Sequence, residues 1–273
     1  MAINLATEYS KKVAERFKLN SVTAGFMNND YSFEGVKTVN VYSIDTVPMT
    51  DYTRSGSNRY GTPVELGDTV QELTMTKDRG FTFTIDKGNA KEQYNVKAAR
   101  SSLRRQIDEV VIPEMDKHRL TTWATNGTRV AVSAPTKTTI IELINDATEA
   151  LDEAFVPAEG RALFVPHKYF KLIKQNPDFI NVESLGEKAL AKGVVGEVDG
   201  YKVIKVPNSY LPEGCYFLAT HKSAIMGPAK LQDYKVHSDP PGINGDLVEG
   251  RVIHDAFVLE AKKGAVYAAV ASV

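Results

Sequence analysis

Apolar positions follow two rhythms along the chain, one of three to four residues and one of two, and the change from one to the other lays out the elements. Leu5, Tyr9, Val13 and Phe17 recur every fourth residue in a segment otherwise polar or charged, which predicts a short amphipathic helix. From Asn20 to Asp68, Gly, Asn, Ser, Thr and Tyr crowd the chain and only VKTVNVYSIDTV, Val36 to Val47, reads as a strand, so this stretch is not a compact domain. In TKDRGFTFTIDKGNAKEQ, Thr76 to Gln93, the period is two: Phe81, Phe83 and Ile85 point to one side, Thr82, Thr84 and Asp86 to the other. The rhythm then turns helical. Val96, Ala99, Leu103, Ile107, Val110 and Val111 form a stripe opposite Arg104, Arg105, Asp108 and Glu109, and the pattern continues through Met115 and Leu120 to a stop at Asn126-Gly127. Pro113 removes the hydrogen bond to the carbonyl of Glu109 and predicts a kink in a helix roughly 45 Å long.

The second half alternates strands and helices. Thr139 to Glu142 carries a capping-box pattern ahead of Leu143, Ile144, Ala147, Leu151 and Phe155 at helical spacing. A strand RALFV follows, then a helix opened by Pro166 and closed by Asn176-Pro177, and strands GYKVIKVP and YFLAT, which together read as an α/β body. The chain closes with two strands predicted around a Lys262-Lys263-Gly264 turn.

Charge and chemistry narrow the function. With 33 Lys plus Arg against 34 Asp plus Glu, no global field draws the chain to nucleic acid or an anionic membrane. Charges at Lys11, Lys12, Glu15 and Arg16 interrupt what a secretion signal needs unbroken, and the run AVYAAVA is far shorter than the roughly 18 apolar residues of a membrane span, so a soluble chain is expected. Cys215 is the only cysteine, which excludes an intrachain disulfide and suits a reducing cytoplasm. No two of the five histidines stand at a metal-ligand spacing, and no serine elbow, P-loop or dinucleotide fingerprint occurs, so neither a metal nor a cofactor is expected. Cys215 opens an apolar strand, which favours a buried structural thiol over a nucleophile. The Asp239 to Asp246 loop reads as a turn rather than a cation loop. Tyr52, Arg54, Arg59 and Tyr60 gather in one small-residue stretch: a protein interface is favoured, with single-stranded nucleic acid and a plain solvated loop as the other readings.

The order of these pieces resembles the major capsid proteins of tailed bacteriophages with the Hong Kong 97-type fold, and so does the wording of NNDYSFEGVKTVNVYSIDTVPMTDYTRSGSNRYGTPVELGDTVQELTMTKDRGFTFTIDKGN, LRRQIDEVVIPEMDKHRL and MGPAKLQDYKVHSD. The resemblance spans essentially the whole chain and implies an α+β fold with an N-terminal arm (1–36), an extended β-hairpin loop with flanking strands (37–88), a peripheral domain with a long spine helix (89–135 and 225–273) and an α/β axial domain (136–224). Under it the strand at Thr76 becomes the returning limb of a projecting loop, pairing with Thr69 to Thr76, and Leu185 to Val195, with Glu187 and Lys188, becomes a candidate rim around the capsomer axis. It implies identical subunits forming pentamers and hexamers of an icosahedral shell around non-specifically packaged double-stranded DNA, with portal and decoration proteins as further partners, no membrane, and assembly in the host cytoplasm into the virion. A near-neutral chain suits a shell that lines DNA without gripping it.

The interface candidates are then Tyr52, Arg54, Arg59 and Tyr60 on the loop, Asp78, Arg79, Phe81 and Phe83 on the strand, Arg104, Arg105, Asp108 and Glu109 on the spine, and Glu187 with Lys188 at the rim. Lys77, Asp86 and Lys87 flank the strand as candidates for charge pairs between neighbours, against the reading of solvated strand ends. Relatives that crosslink do so through a loop lysine; Asp51 to Asp68 carries none, so no crosslink is expected, and the short arm implies a separate scaffolding protein. The alternatives are an encapsulin-like nanocompartment shell of the same fold and, from another class, a cytoplasmic enzyme built on Cys215 or a histidine.

Overall fold

The computed structural model of the chain describes residues 21–33, 37–87, 99–176 and 194–272. The expected N-terminal helix and the rim residues Glu187 and Lys188 lie outside the described residues. β1 (Thr38–Ile44) and β2 (Asp68–Thr74) form an antiparallel hairpin in which Val39 faces Leu73 and Val41 faces Gln71. β3 (Lys77–Asp86) follows. The spine runs as α1 (Ala99–Gln106), a π turn (Ile107–Val111) and α2 (Ile112–Asn126). Next come β4 (Thr128–Val132), α3 (Ile140–Glu153), β5 (Arg161–Pro166), α4 (His167–Lys174), β6 (Val194–Val198), β7 (Tyr201–Val206) and β8 (Cys215–His221). The chain ends through β9 (Ile225–Met226), β10 (Ala229–Ser238), β11 (Gly245–His254), β12 (Phe257–Val258) and β13 (Val266–Ala271).

Two sheets share the spine. The six-stranded sheet has the order β4-β13-β8-β5-β7-β6, and its central strands β5 and β8 are buried along their whole length, as RALFVP and CYFLATH require of strands covered on both faces. One face packs under α3 and α4 through Ile140, Ile144, Ala147, Leu151, Phe170 and Ile173. The other takes Leu120, Trp123 and Ala124 of α2 against Ala162, Phe164 and Leu218. The N-terminal half of the spine serves a different core: Leu103, Ile107, Ile112 and Met115 pack on the three-stranded sheet β10-β11-β3 against Tyr234, Val248 and Val252. Gly250 makes room there, since a Cβ at that position would stand 2.4 Å from the Phe81 ring and 2.7 Å from Tyr234.

Several expectations are corrected. β3 pairs with β11, Phe83 opposite Val248, and not with β2, whose partner is β1. The favoured two-residue hairpin turns use left-handed backbone, and neither Met75 nor Thr76 has positive φ. Instead the Thr76 N–H and hydroxyl donate to Asp255 Oδ2 at 2.7 and 2.9 Å, and the chain passes from one sheet to the next. The closing strands do not pair around Lys262-Lys263-Gly264: a 3-10 turn (Glu260–Ala265) separates them, and β13 enters the six-stranded sheet between β4 and β8. β4 and β13, read from sequence on the spine side, thus belong to the α/β sheet. At Pro113 the spine carries a π turn, with the Ile112 N–H donating to the carbonyl of Ile107 five residues back. Thr139 has helical backbone angles and its hydroxyl accepts from the Thr136 N–H at 3.0 Å, so it forms no capping box. Phe155 leaves the stripe of α3 altogether, at φ 55° and in solvent.

The N-terminal segment is fixed to the spine by charge. Asp116 and Arg119, each 2% exposed, lie 3.7 Å apart. The Asp116 carboxylate accepts from the Val22 N–H at 3.0 Å and from the hydroxyls of Ser21 and Thr23, while Arg119 donates to Thr23 Oγ1 at 3.0 Å and to the Gly227 carbonyl at 2.6 Å. Burial draws the guanidinium down to about 10 against the opposing pull of Asp116, yet it stays charged at neutral pH. Asp116→Ala strands that buried cation, so unfolding by urea is expected to show a loss of about 3–5 kcal/mol, whereas replacing the pair together with apolar residues loses much less.

Candidate intersubunit surfaces

The hairpin is tied at its base and bare beyond it. Val41, Leu73 and Met75 pack with Phe33, Met226 and Leu259, and Phe33 stacks on Phe257 at 5.9 Å. Gln71 clamps the C-terminal segment with its amide: Nε2 donates to the Val258 carbonyl and Oε1 accepts from the Glu260 N–H, both at 3.0 Å. Past that point the inward face ends. Of the twelve large apolar side chains exposed among the described residues, nine lie between Tyr42 and Val70, including Met49 at 100% and Tyr60 at 86%. Tyr42, Ile44 and Val70 stand on the face of the hairpin turned away from that core, and that they stay in solvent makes this surface unusual.

At the tip the chain folds on itself. The Thr53 N–H donates to the Arg59 carbonyl at 3.1 Å, Thr50 Oγ1 to the Tyr60 carbonyl at 3.0 Å, and Arg59 Nε to the Gly56 carbonyl at 3.2 Å. Left-handed Gly56, Asn58 and Gly61 allow the turn. Tyr52 and Tyr60 are thereby brought ring to ring at 5.0 Å; Arg54 stands exposed beside them.

The strand and spine candidates are divided. Phe81 and Phe83 turn inward onto the spine core, so the apolar face of β3 covers its own subunit. Asp78 receives Arg251 Nε at 2.8 Å and Arg79 Nε donates to Glu114 at 2.7 Å, both within the chain, and Lys87 pairs with Asp239. Arg104 is exposed, and Arg105 is paired with Glu109 at 2.8 Å one turn on; Asp108 is half-buried beside them. Met49, Val64 and Leu66 belong to the same surface although they are not among the candidates above; their signal in the sequence is apolar residues inside a segment otherwise built of loop formers.

A joint links hairpin, spine and sheet. Asp255 accepts from Thr76, from the Ala256 N–H at 2.9 Å and from His118 Nε2 at 2.9 Å, and the His118 ring meets that of buried His254 at 5.3 Å. Burial alone would raise the Asp255 carboxyl, but these donors outweigh it and hold it at about 2. Burial first, then the nearby His118 and Arg119, brings His254 down to about 4. Cys215 is buried, and desolvation pushes its thiol up to about 12, so it stays protonated at neutral pH.

No family model matches the chain and no curated protein matches it in sequence. Solved structures do match. A chain of Mycobacterium phage Che8 aligns over 91% of this chain and 90% of its own length, with a TM-score of 0.68 and 18% identity. The capsid structure of the cyanophage P-SCSP1u aligns over 86% and 84%, with a TM-score of 0.66 and 18% identity. The virus-like particle from Pyrococcus furiosus aligns over 96% and 99%, with a TM-score of 0.55 and 11% identity. The fold is therefore the expected α+β capsid fold of the Hong Kong 97 type.

The joint sets a pH dependence. His254 resists its proton in the folded chain, so between its ordinary 6.5 and about 4 the unfolded state takes up a proton that the folded state does not. Asp255 adds a loss of the same sign from 3.8 down to about 2. The unfolding midpoint is expected to fall as pH drops from about 6.5 to about 4, and His254→Leu to flatten that part of the slope when thermal unfolding is followed across pH.

Proposed function

We propose that the chain is the major capsid protein of a tailed double-stranded DNA phage, building pentamers and hexamers that close into an icosahedral head. The observation that carries this reading is the apolar surface of the β1–β2 hairpin and its loop, which the chain by itself leaves in water over some 29 residues from Tyr42 to Val70. Among the described residues nothing covers it, and in a shell of identical subunits the cover is a neighbouring copy. The likeness of fold to the cyanophage capsid chain supports the same reading.

In this reading the hairpin is the extended loop, the spine with the three-stranded sheet is the peripheral domain, and the six-stranded sheet with α3 and α4 is the axial domain. Tyr52, Arg54, Arg59 and Tyr60 meet a neighbour at the loop tip, Arg104, Arg105, Asp108 and Glu109 along the spine, and Glu187 and Lys188 at the capsomer rim. Asp78 and Arg79, paired within the subunit, shape the surface a neighbour meets. A separate scaffolding protein, a portal and decoration proteins act with the shell, which assembles in the host cytoplasm and lines packaged DNA without sequence-specific contact. The role is structural, and Cys215 serves as a core side chain. A nanocompartment shell is the second reading, favoured by the near-complete mutual coverage with the Pyrococcus particle; its lower TM-score beside that of the phage chain favours the head.

The expressed chain is expected to give rings, tubes or shells by size exclusion and negative-stain microscopy, and a variant with residues 47–65 replaced by a short Gly-Ser turn to stay a folded monomer. A wild-type chain that remains monomeric at high concentration across salt conditions overturns the reading. Particles that enclose a host enzyme rather than DNA favour the nanocompartment.

A further inference from the structure

Helix α3 carries two stripes. Ile140, Ile144, Ala147 and Leu151 are fully buried against the six-stranded sheet. Glu142, Asp146, Glu149 and Glu153, each two residues further on and so about 200° around the helix, are all exposed. The helix contains no Lys or Arg to neutralise them. Like charges three and four residues apart destabilise a helix, so the isolated chain bears a repulsion that an opposing basic surface would relieve.

That surface exists on the same chain. In α4, Lys168, Lys171 and Lys174 are exposed and no acid interrupts them. Lys205 of β7 joins them, its ammonium 5.8 Å from the Phe170 ring centre and that of Lys174 5.6 Å from it. α3 lies over β13 and α4 over β5 and β7, so the acidic stripe and the basic cluster stand toward opposite edges of one sheet.

The acidic stripe ends in an aromatic side chain held out in water. Phe155 is 94% exposed at φ 55°, a left-handed conformation that penalises any residue with a Cβ. The loop that carries it is held by hydrogen bonds. The buried guanidinium of Arg161 donates to the carbonyls of Val156 and Pro157 at 2.5 and 3.1 Å and to Asp152 at 2.5 Å. His221 donates to the Glu159 carbonyl at 2.9 Å and the Lys222 N–H to that of Gly160 at 3.1 Å. Exposed Ala154, Pro157 and Ala158 complete an apolar tip with acids at its flank, the make-up of an interface centre with a charged rim.

We propose that the two patches are the halves of one contact between copies of this chain: the acidic stripe of α3, with Phe155 as its apolar anchor, docks on the Lys168, Lys171, Lys174 and Lys205 surface of the next copy. The proposal rests on the capsid reading and names the contact within it. Because the patches differ, the contact is heterologous and repeats around a ring, and its charges steer the approach while Phe155 supplies the buried area.

The test uses the full chain, with assembly followed by light scattering and microscopy and folding by circular dichroism. Glu142→Lys with Asp146→Lys and Glu149→Lys, or separately Lys168→Glu with Lys171→Glu and Lys174→Glu, is expected to raise the concentration needed for assembly at least tenfold with the fold intact. A single chain carrying all six reversals restores complementary patches and is expected to assemble again. Phe155→Gly relieves the backbone and is expected to raise the Tm while weakening assembly. Triple variants that assemble like the wild type, or a six-fold variant that stays unassembled, overturn this contact and leave the capsid reading standing. A wild-type chain that never assembles overturns both.

Discussion

The buried pair of Asp116 and Arg119 is the constraint on which the arrangement turns. Two charges withdrawn from water are tolerable only when each is also hydrogen-bonded, and here Ser21, Val22, Thr23 and Gly227 supply those bonds. Two distant stretches of chain, Ser21 to Thr23 and Gly227, are thereby brought to one turn of the spine. A Cβ at Gly227 would stand 2.5 Å from Arg119 Nε, so the guanidinium and the turn before β10 fit only with glycine there. One turn further along, Trp123 Nε1 donates to the Met226 carbonyl at 2.9 Å and extends the same seam.

Around that seam the spine does two jobs. Its first half closes the core of the three-stranded sheet and its second half covers one face of the six-stranded sheet, so a single rod of about 40 Å, Ala99–Asn126, sets the relation of both. The π turn ahead of Pro113 lets both halves keep their apolar residues inward despite the lost hydrogen bond. The Asp255 joint places the hairpin on this frame, and Gln71 locks its base, so what projects is a firmly rooted arm with an uncovered apolar surface. The described residues close their cores and leave that hairpin surface in water.

Much of the fold was legible because periodicity reports burial directly. Met115 and Leu120 of α2, Ile144, Ala147 and Leu151 of α3, the unbroken apolar runs of β5 and β8 and the alternation of β3 stand where the pattern put them. The candidate surface was legible in part: Tyr52 and Tyr60 signal an interface by composition, and they do meet at the loop tip. Asp116 and Arg119 were not legible, because an acid and an arginine three apart on a helix look like an ordinary solvated pair until something buries them. Phe155 misled for a similar reason: helical spacing cannot show that the helix has already ended.

The sequence by itself determined the elements, their inward faces and the near-neutral charge, since each follows from local spacing and composition. Tertiary structure alone decided the partners. A strand's alternation says which side is buried but not which strand lies beside it, so β3 beside β11, and β13 between β4 and β8, depend on contacts across many residues of chain. The same holds for the charge on the spine: whether Arg119 meets water or Asp116, Thr23 and Gly227 is settled only when the N-terminal segment and the β9–β10 turn close over it.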